Sequence, residues 1–414
     1  MNRASWAPFA HRNFRLAWSA ALISSLGGWM QTVALGVYLQ LTTHNPLWLG
    51  LTVVAGWTPA LIAAPLGGAW AERRSRVRII RVCNVIMTAT ATALAALVVT
   101  HHLVPWMATV ILAAEGFAGA ASWASWQAIL PDLVAEGEVY AAVSLSSAQF
   151  NLGRVIGPLL AGLLLAAGSP AWCFVVNAVS FLAMVVAFGM VKVAPRHLEP
   201  SDRSLWSEVR HGARMAWRTV GCRNPITIVF LMGLTASPFI SMIPAMAIDV
   251  LHAGKTGTSW LVAGQGVGAV AMAVVGPELV KNIGRYRVLR GAIIVQIISL
   301  AAYGAAPSLW WSVGCIVVVG AAYVGILTGL NSAVQLHAPQ AERSRILSLY
   351  TLSLSVGYPL GAFIQGAIAH HVSLRDVTWA SCGLLLILVV SSRLWHRDAF
   401  LRVFTTDEVA VVPQ

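Results

Sequence analysis

Twelve apolar segments, each long enough to cross a bilayer, follow one another through the sequence. A helix of about 20 apolar residues spans the hydrocarbon core. Hydrophobic residues make up 58% of the chain and charged residues 10%, with a mean hydropathy of +0.74. A soluble domain of this size would need more charge to cover its surface. The chain is therefore predicted to be an all-α polytopic membrane protein, with spans at roughly 14–41, 46–71, 77–100, 104–130, 139–166, 170–192, 224–251, 257–281, 286–306, 308–336, 345–369 and 377–397.

The charge distribution predicts an orientation. The formal net charge is +12, and with the N-terminus inside, all but three of the 27 Lys and Arg residues lie on the cytoplasmic side. The exceptions are Lys255 and Arg375 outside and Arg154 within the membrane. This asymmetry follows the positive-inside rule, so both termini are predicted to be cytoplasmic and no nucleic-acid partner is needed to explain the basic charge. Arg12 and Arg15 lead directly into the first span, which indicates a retained signal anchor.

Neither the cysteines nor the histidines predict a metal or a cofactor. The five cysteines are scattered and form no CxxC pair, so no disulfide or metal framework is expected. Two histidine pairs, 101–102 and 370–371, fall at the outer ends of spans. Solvated loop histidines explain them better than a metal site does.

The two halves of the chain repeat each other. Two basic hairpins, 67–81 and 276–290, match at an offset of 209, and the fifth span matches the eleventh at an offset of 204. Such internal symmetry indicates a duplicated membrane protein. We predict two pseudo-symmetric six-helix bundles, at 1–192 and 224–398, a linker at 193–223 and a cytoplasmic tail at 399–414.

The linker contains a candidate amphipathic helix from about 205 to 220. Its apolar stripe includes Trp206 and Trp217, and a basic stripe repeats every four residues at Arg210, Arg214 and Arg218. This pattern predicts a helix lying against anionic lipid headgroups, so membrane lipids are expected partners. A DNA-binding helix is the disfavoured alternative.

Two opposite charges fall near the middle of consecutive spans. Glu115 lies about eleven residues into the fourth span and Arg154 about fifteen into the fifth. Either charge alone is costly in hydrocarbon, so the two are expected to pair. The functional interpretation of the pair is a proton-coupling switch in which the glutamate titrates, or a contact to the substrate. The alternative is a structural ion pair that sets helix register.

Other polar residues within the spans are candidates for a substrate cavity. Gln31 is expected either to face a cavity or to form an interhelical hydrogen bond, because lipid offers it no partner. The remaining candidates are Ser122, Trp126, Asn151, Gln296, Tyr323 and Tyr358.

Three motifs carry a resemblance to the major facilitator superfamily. The first, Gly68-x-x-x-Glu72-Arg73-x-Ser75-Arg76, resembles the family's G-x-x-x-D-R-x-G-R loop, with Glu for Asp and Ser for Gly. The second resembles the family's helix-5 antiporter signature G-x-x-x-G-P-x-x-G-G, and comprises Gly153, Gly157, Pro158, Ala161 and Gly162. The third is the tract at 342–349, which is similar to bacterial exporters of the group that includes enterobactin exporters, macrolide efflux pumps and mycobacterial Tap-type multidrug pumps.

The resemblance implies alternating access between two bundles, with the substrate site at the midplane. The helix-5 signature implies export by antiport. The arginine that the family usually carries in its fourth helix would fall at Leu112, so proton-coupling schemes built on it do not transfer. We predict a monomeric, proton-driven exporter of amphipathic small molecules such as drugs or siderophores, in the bacterial inner membrane.

The first motif is expected to act as a cytoplasmic gate. Glu72 would lie near the start of the eleventh helix at Ser344, where the helix dipole favours an anion. Arg73 would reach Asp132 at the inner end of the fourth helix. Arg76 and Arg345 complete the predicted gate.

Other functions remain open from sequence alone. They are a lipid or lysolipid translocator, an uptake symporter, a transporter-like sensor and an integral-membrane enzyme. The enzyme would require converging nucleophiles or a metal cluster, and the sequence shows neither.

Overall fold

The computed structural model describes residues 3–63, 75–193, 214–215, 217, 219–340 and 342–395. In chain order, the first six helices, α1 to α6, are Arg12–Thr43, Pro46–Trp57, Arg76–Val99, Pro105–Ile129, Val139–Ala167 and Ala171–Met190. The next six, α7 to α12, are Val220–Thr235 continued by Phe239–Ala245, Gly254–Ile283, Arg285–Gly304, Leu309–His337, Arg343–Ala369 and Leu374–Trp395.

Most of the helices are long enough to span a bilayer, and α2 reaches that length with the turns that continue it to Ala63. Eleven helical stretches in the described residues have the length and hydropathy of membrane spans, and α12, with 22 residues, follows the eleventh. The all-α polytopic prediction is confirmed. Two compact units emerge from the contacts, Met1–His44 with Leu51–Asp202, and Asn45–Gly50 with Arg203–Gln414.

The first unit is built around α1 and α3. Helix α1 packs along α5 and α6, and α3 packs along α4 and α6. Glycines permit the close approach of α1 to its neighbours. A Cβ on Gly27 would lie 2.6 Å from Oδ1 of Asn177, and one on Gly157 would lie 2.7 Å from Cβ of Trp29. Small residues at helix contacts are the usual basis of tight packing in membranes.

The second unit repeats this arrangement. The glycines of α11 that match those of α5 approach α7, the first helix of the unit. A Cβ on Gly357 would lie 2.6 Å from the carbonyl oxygen of Phe230, and one on Gly361 would lie 2.8 Å from that of Gly233. The equivalent positions in both units therefore contact the first helix of their own bundle, as expected for a duplicated fold.

Helix α7 is interrupted near Pro238, and a side chain of α11 compensates. Proline lacks an N–H group, so the carbonyl of Leu234 loses its helical donor. The Gln365 Nε2 donates to the Leu234 oxygen at 3.1 Å and to the Thr235 oxygen at 2.8 Å. The carbonyl groups at the interruption therefore accept hydrogen bonds from within the unit rather than from solvent.

The helix ends differ in composition. Arg76, Arg78 and Arg81 crowd the start of α3, and the equivalent arginines crowd the start of α9. Several exposed tryptophans lie at the opposite ends, among them Trp106, Trp172, Trp260, Trp310 and Trp379. Tryptophan is enriched at membrane–water interfaces, so these residues fit a headgroup position. We call the two ends the basic end and the tryptophan end.

Most of the predicted linker helix lies outside the described residues. Within it Arg214, Met215 and Trp217 are helical, and Arg214 and Trp217 are exposed. The tail at 399–414 also lies outside the described residues.

Candidate functional site

A carboxylate in the middle of α4 is held by two other helices. Glu115 lies ten residues after Pro105, about 15 Å along the helix. The Nε2 of Gln31 on α1 donates to both carboxylate oxygens, at 2.8 Å each. The hydroxyl of Thr90 on α3 lies 3.3 Å from Oε2 and 2.9 Å from the carbonyl oxygen of Met87. Glu115 is therefore joined to α1 and to α3.

A chain of hydrogen bonds continues from this carboxylate to α6. The Nδ2 of Asn177 donates to Oε1 of Gln31 at 2.8 Å, and the hydroxyl of Ser180 lies 3.0 Å from Oδ1 of Asn177. Gln31 and Asn177 are 2% and 0% exposed. Since its oxygen is engaged by Asn177, the amide of Gln31 is oriented as a donor toward Glu115. We call Glu115, Gln31, Thr90, Asn177 and Ser180 the carboxylate network.

Among the described residues, Glu115 is the one carboxylate placed in the middle of a spanning helix. Asp132, Glu136, Glu138 and Glu342 lie outside the helix ends, and Asp249 lies in the π-helical turn Met246–Val250 that follows α7. Glu278 lies within the last two turns of α8, and Asp376 lies in the first turn of α12. An ionisable residue at membrane depth is a candidate functional group by default, because its burial is costly.

The predicted ion pair between Glu115 and Arg154 is wrong. Within the part of the chain that the structure describes, the carboxylate is bonded to Gln31 and Thr90, and the Arg154 guanidinium carbon lies 5.9 Å from the ring centre of Trp29. The reason is the packing order. Helix α5 packs along α1, whereas α4 packs along α3, so two charges at similar depth lie on different helix pairs.

Several predicted cavity residues are buried inside their own unit. Gln31 belongs to the carboxylate network, which supports its interhelical alternative. Ser122 accepts a hydrogen bond from Asn84 at 3.2 Å, and Trp126 donates to Ser146 at 2.8 Å. Asn151 is the exception: it is exposed, and its Nδ2 donates to the Ser147 carbonyl.

The predicted cavity residues of the second unit are also largely enclosed. Gln296 is 0% exposed and Tyr323 is 3% exposed, with the Tyr323 ring edge-on to Phe239 at 5.9 Å. Tyr358 is partly buried and lies beside Gly233 of α7. Burial within a six-helix unit removes Gln296 and Tyr323 from an open cavity in this structure.

Two residues of the predicted gate form an ion pair. Arg76 at the start of α3 forms an ion pair with Asp132 just beyond α4 and donates to the Ala128 carbonyl at 2.8 Å. The side chains of Arg76 and Asp132 are 13% and 10% exposed. Gly68, Glu72 and Arg73 lie outside the described residues, as does the side chain of Arg345, so their predicted roles stay predictions.

Replacing Asp132 with Asn should strand the Arg76 charge and cost about 3 kcal/mol of stability. The double variant Arg76→Gln/Asp132→Asn should cost less than the sum of the single variants, as a thermal-unfolding double-mutant cycle would show. The exposed pair Glu278–Lys281, at 3.7 Å, is the matched control and should show no measurable coupling. Additive effects at Arg76 and Asp132 would refute their direct link.

The helix-5 signature lies against α1. Gly153 would place a Cβ 2.7 Å from Cβ of Ser25, and Gly157 approaches Trp29 and Leu26. Pro158 and Gly162 are buried in the same helix. The motif therefore forms the α1–α5 contact, and its link to antiport stays a prediction.

No cluster of three or more metal-binding side chains occurs within the described ranges.

Comparison with known proteins identifies the family. A family model described as transmembrane secretion effector, of the major facilitator superfamily, matches residues 3–407. The chain belongs to this family. The enterobactin exporter EntS of Citrobacter koseri is 24% identical over 406 residues, which cover 94% of each chain. The enterobactin exporter EntS of Escherichia coli O1:K1 is 26% identical over 410 residues, again with 94% of each chain covered.

Solved structures show the same fold. The nucleoside transporter NupG superimposes with a TM-score of 0.73 at 13% identity, covering 96% of this chain and 100% of that chain. A bacterial homologue of the human lysosomal transporter Spinster, in an inward-facing occupied conformation, gives a TM-score of 0.73 at 15% identity, covering 96% and 99%. At these identities the likeness establishes the fold, and the transmembrane secretion effector has the major facilitator fold.

Sequence reasoning missed most of the carboxylate network. Thr90, Asn177 and Ser180 are polar residues within apolar spans, and this polarity was the one sequence feature that could have identified them. Their hydrogen-bond partners depend on which helices are neighbours. The packing of α1 against α6, for example, joins Gln31 to Asn177, which lie 146 positions apart.

Proposed function

We propose that this transmembrane secretion effector exports amphipathic small molecules, such as drugs or siderophores, in exchange for protons, and that Glu115 carries the proton. The observation that carries the proposal is the carboxylate network, which ties one mid-membrane acid to three other helices. The enterobactin exporters among its relatives support export as the direction of transport.

The network offers partners for both protonation states of Glu115. An ionised carboxylate only accepts hydrogen bonds, and the two Gln31 contacts suit that form. A protonated carboxyl needs an acceptor for its own O–H. Thr90 Oγ1 can accept it, because the Thr90 hydrogen is within reach of the Met87 carbonyl. Protonation therefore shifts the bonding of α4 from α1 toward α3.

This shift gives alternating access a chemical trigger. The charged form ties α4 mainly to Gln31 on α1, and the neutral form strengthens its tie to Thr90 on α3. A proton can bias a conformational equilibrium only by interacting differently with the two states, and exchange of partner helices supplies that difference. Asn177 acts as a positioning residue, because it holds Gln31 in its donor orientation.

The localisation proposed is a bacterial cytoplasmic membrane, with the basic helix ends and both termini on the cytoplasmic side. The arginines at the starts of α3 and α9 and the tryptophans at the opposite ends support this orientation.

The test uses purified wild-type protein in proteoliposomes. An imposed proton gradient should drive movement of amphipathic dyes and siderophores against their concentration gradients, and a protonophore should abolish it. Transport that ignores the proton gradient would refute antiport. Transport confined to phospholipid or lysophospholipid would favour a translocator.

A further inference from the structure

One face of the first unit brings together three aromatic rings and a guanidinium. The ring of Trp123 on α4 lies 5.2 Å from that of Phe150 on α5, and Phe150 lies 6.3 Å from Trp29 on α1. The Arg154 guanidinium carbon lies 5.9 Å from the Trp29 ring centre. We call Trp29, Trp123, Phe150 and Arg154 the aromatic–arginine face.

The face is accessible within its unit. Trp123 is 42% exposed, and Trp29, Phe150 and Arg154 are partly exposed. Ser147 and Asn151 are exposed on the same side of α5, spaced one turn from Phe150 and Arg154. Neither residue type suits hydrocarbon, and charged residues at membrane depth face protein or a water-filled cavity. The part of α5 that exposes Ser147 and Asn151 is therefore an aqueous-facing surface.

We infer that this face is a binding site for an aromatic anion, a planar arene that carries a carboxylate, sulfonate or phenolate. This inference rests on the proposed export function, since it specifies the substrate class of that transporter. The site is distinct from the carboxylate network, which uses none of these four residues.

The chemistry of each group fits one part of such a ligand. Exposed indole and phenyl rings stack on arenes in offset or edge-on geometry. A guanidinium presents five N–H donors in a planar fork, which matches the geometry of a carboxylate. Asn151 adds an exposed amide one turn away. An aliphatic anion would use the arginine and forgo the stacking, and a neutral arene would do the reverse.

The test is equilibrium binding of radiolabelled 1-naphthoate to the full-length protein in nanodiscs of neutral lipid. Unlabelled 1-naphthoate should compete at least about tenfold better than 1-naphthylmethanol, which lacks the charge, and decanoate, which lacks the ring. Equal competition by decanoate would mean an aliphatic-anion site and would overturn the inference, as would equal competition by the alcohol.

Two variants locate the site. Trp123→Leu and Arg154→Gln should each weaken 1-naphthoate binding about tenfold. Trp172→Leu, which removes a tryptophan that is 59% exposed at the tryptophan end of α6, should leave 1-naphthoate binding unchanged. Trp123→Leu alone decides the matter if Arg154→Gln fails to fold, because the Trp123 ring is exposed. Unchanged binding in Trp123→Leu would overturn the assignment.

Equilibrium binding needs no proton gradient, so the result of the binding test is independent of the result of the transport test for the proposed function. One possible result is proton-driven export of cationic or neutral amphipaths together with 1-naphthoate binding that is unchanged in Trp123→Leu. That result would contradict the proposed binding site and would still support proton-driven export. Binding that depends on Trp123, without any gradient-driven movement in proteoliposomes, would support the site and refute the proposed function.

Discussion

Glu115→Gln should abolish the response of transport to a proton gradient while the protein still binds substrate. The glutamine keeps the size of the side chain and can still accept from Gln31, but it cannot gain or lose a proton. Gradient-driven accumulation in proteoliposomes should fall at least about tenfold, within the range of typical coupling free energies. Downhill movement of substrate should persist.

The matched control is Glu278→Gln. Glu278 is also a glutamate in a spanning helix, but it lies near the basic end of α8, is exposed and faces Lys281 at 3.7 Å. Its replacement should leave gradient-driven transport at the wild-type level. A Glu115→Gln protein that retains wild-type accumulation would reduce the carboxylate network to a structural role.

Gly268→Ala should be among the most destabilising single-methyl changes in the second unit. A Cβ at this position of α8 would overlap the carbonyl oxygen of Val317 and lie 2.9 Å from the nitrogen of Ala321 on α10. Backbone atoms cannot rotate away as a side chain can, so the two helices must separate. Overpacking of this kind costs about 3 kcal/mol. Thermal unfolding of the purified protein measures the loss.

Gly291→Ala is the control for this prediction. Gly291 lies in α9, and a Cβ added to it would meet no side chain or neighbouring helix of the described residues within 4 Å. Alanine should therefore be neutral there or slightly stabilising, since it favours the helix. Equal unfolding temperatures for Gly268→Ala and Gly291→Ala would contradict the close α8–α10 contact.

Much of the fold follows from sequence because the membrane restricts the choices. Apolar length places each helix, and the absence of water forces its backbone to bond internally. The glycines repeated between α5 and α11 mark these helices as equivalent from their spacing alone. The interruption of α7 is harder to foresee, because it persists through Gln365, a residue more than 120 positions away.

The sequence predicts how deep Glu115 lies in the membrane, but it does not predict its hydrogen-bond partners. The position of Glu115 along α4 followed from counting residues at 1.5 Å each. Its partners depended on which helices adjoin α4, and sequence order suggested α5, whereas the structure brings Gln31 and Thr90. In the sequence, Asn177 and Thr90 are ordinary polar residues. Their role in the carboxylate network depends on how the helices pack, and residue spacing does not predict that packing.

Proton release on substrate binding tests the central claim most directly. Purified protein in weakly buffered detergent, with a pH-sensitive dye, is titrated with a substrate identified in the proteoliposome assay. Antiport through Glu115 predicts release of about one proton per transporter in the wild type and in Glu278→Gln, and none in Glu115→Gln. Undiminished proton release from Glu115→Gln would contradict the assignment of Glu115 as the proton carrier.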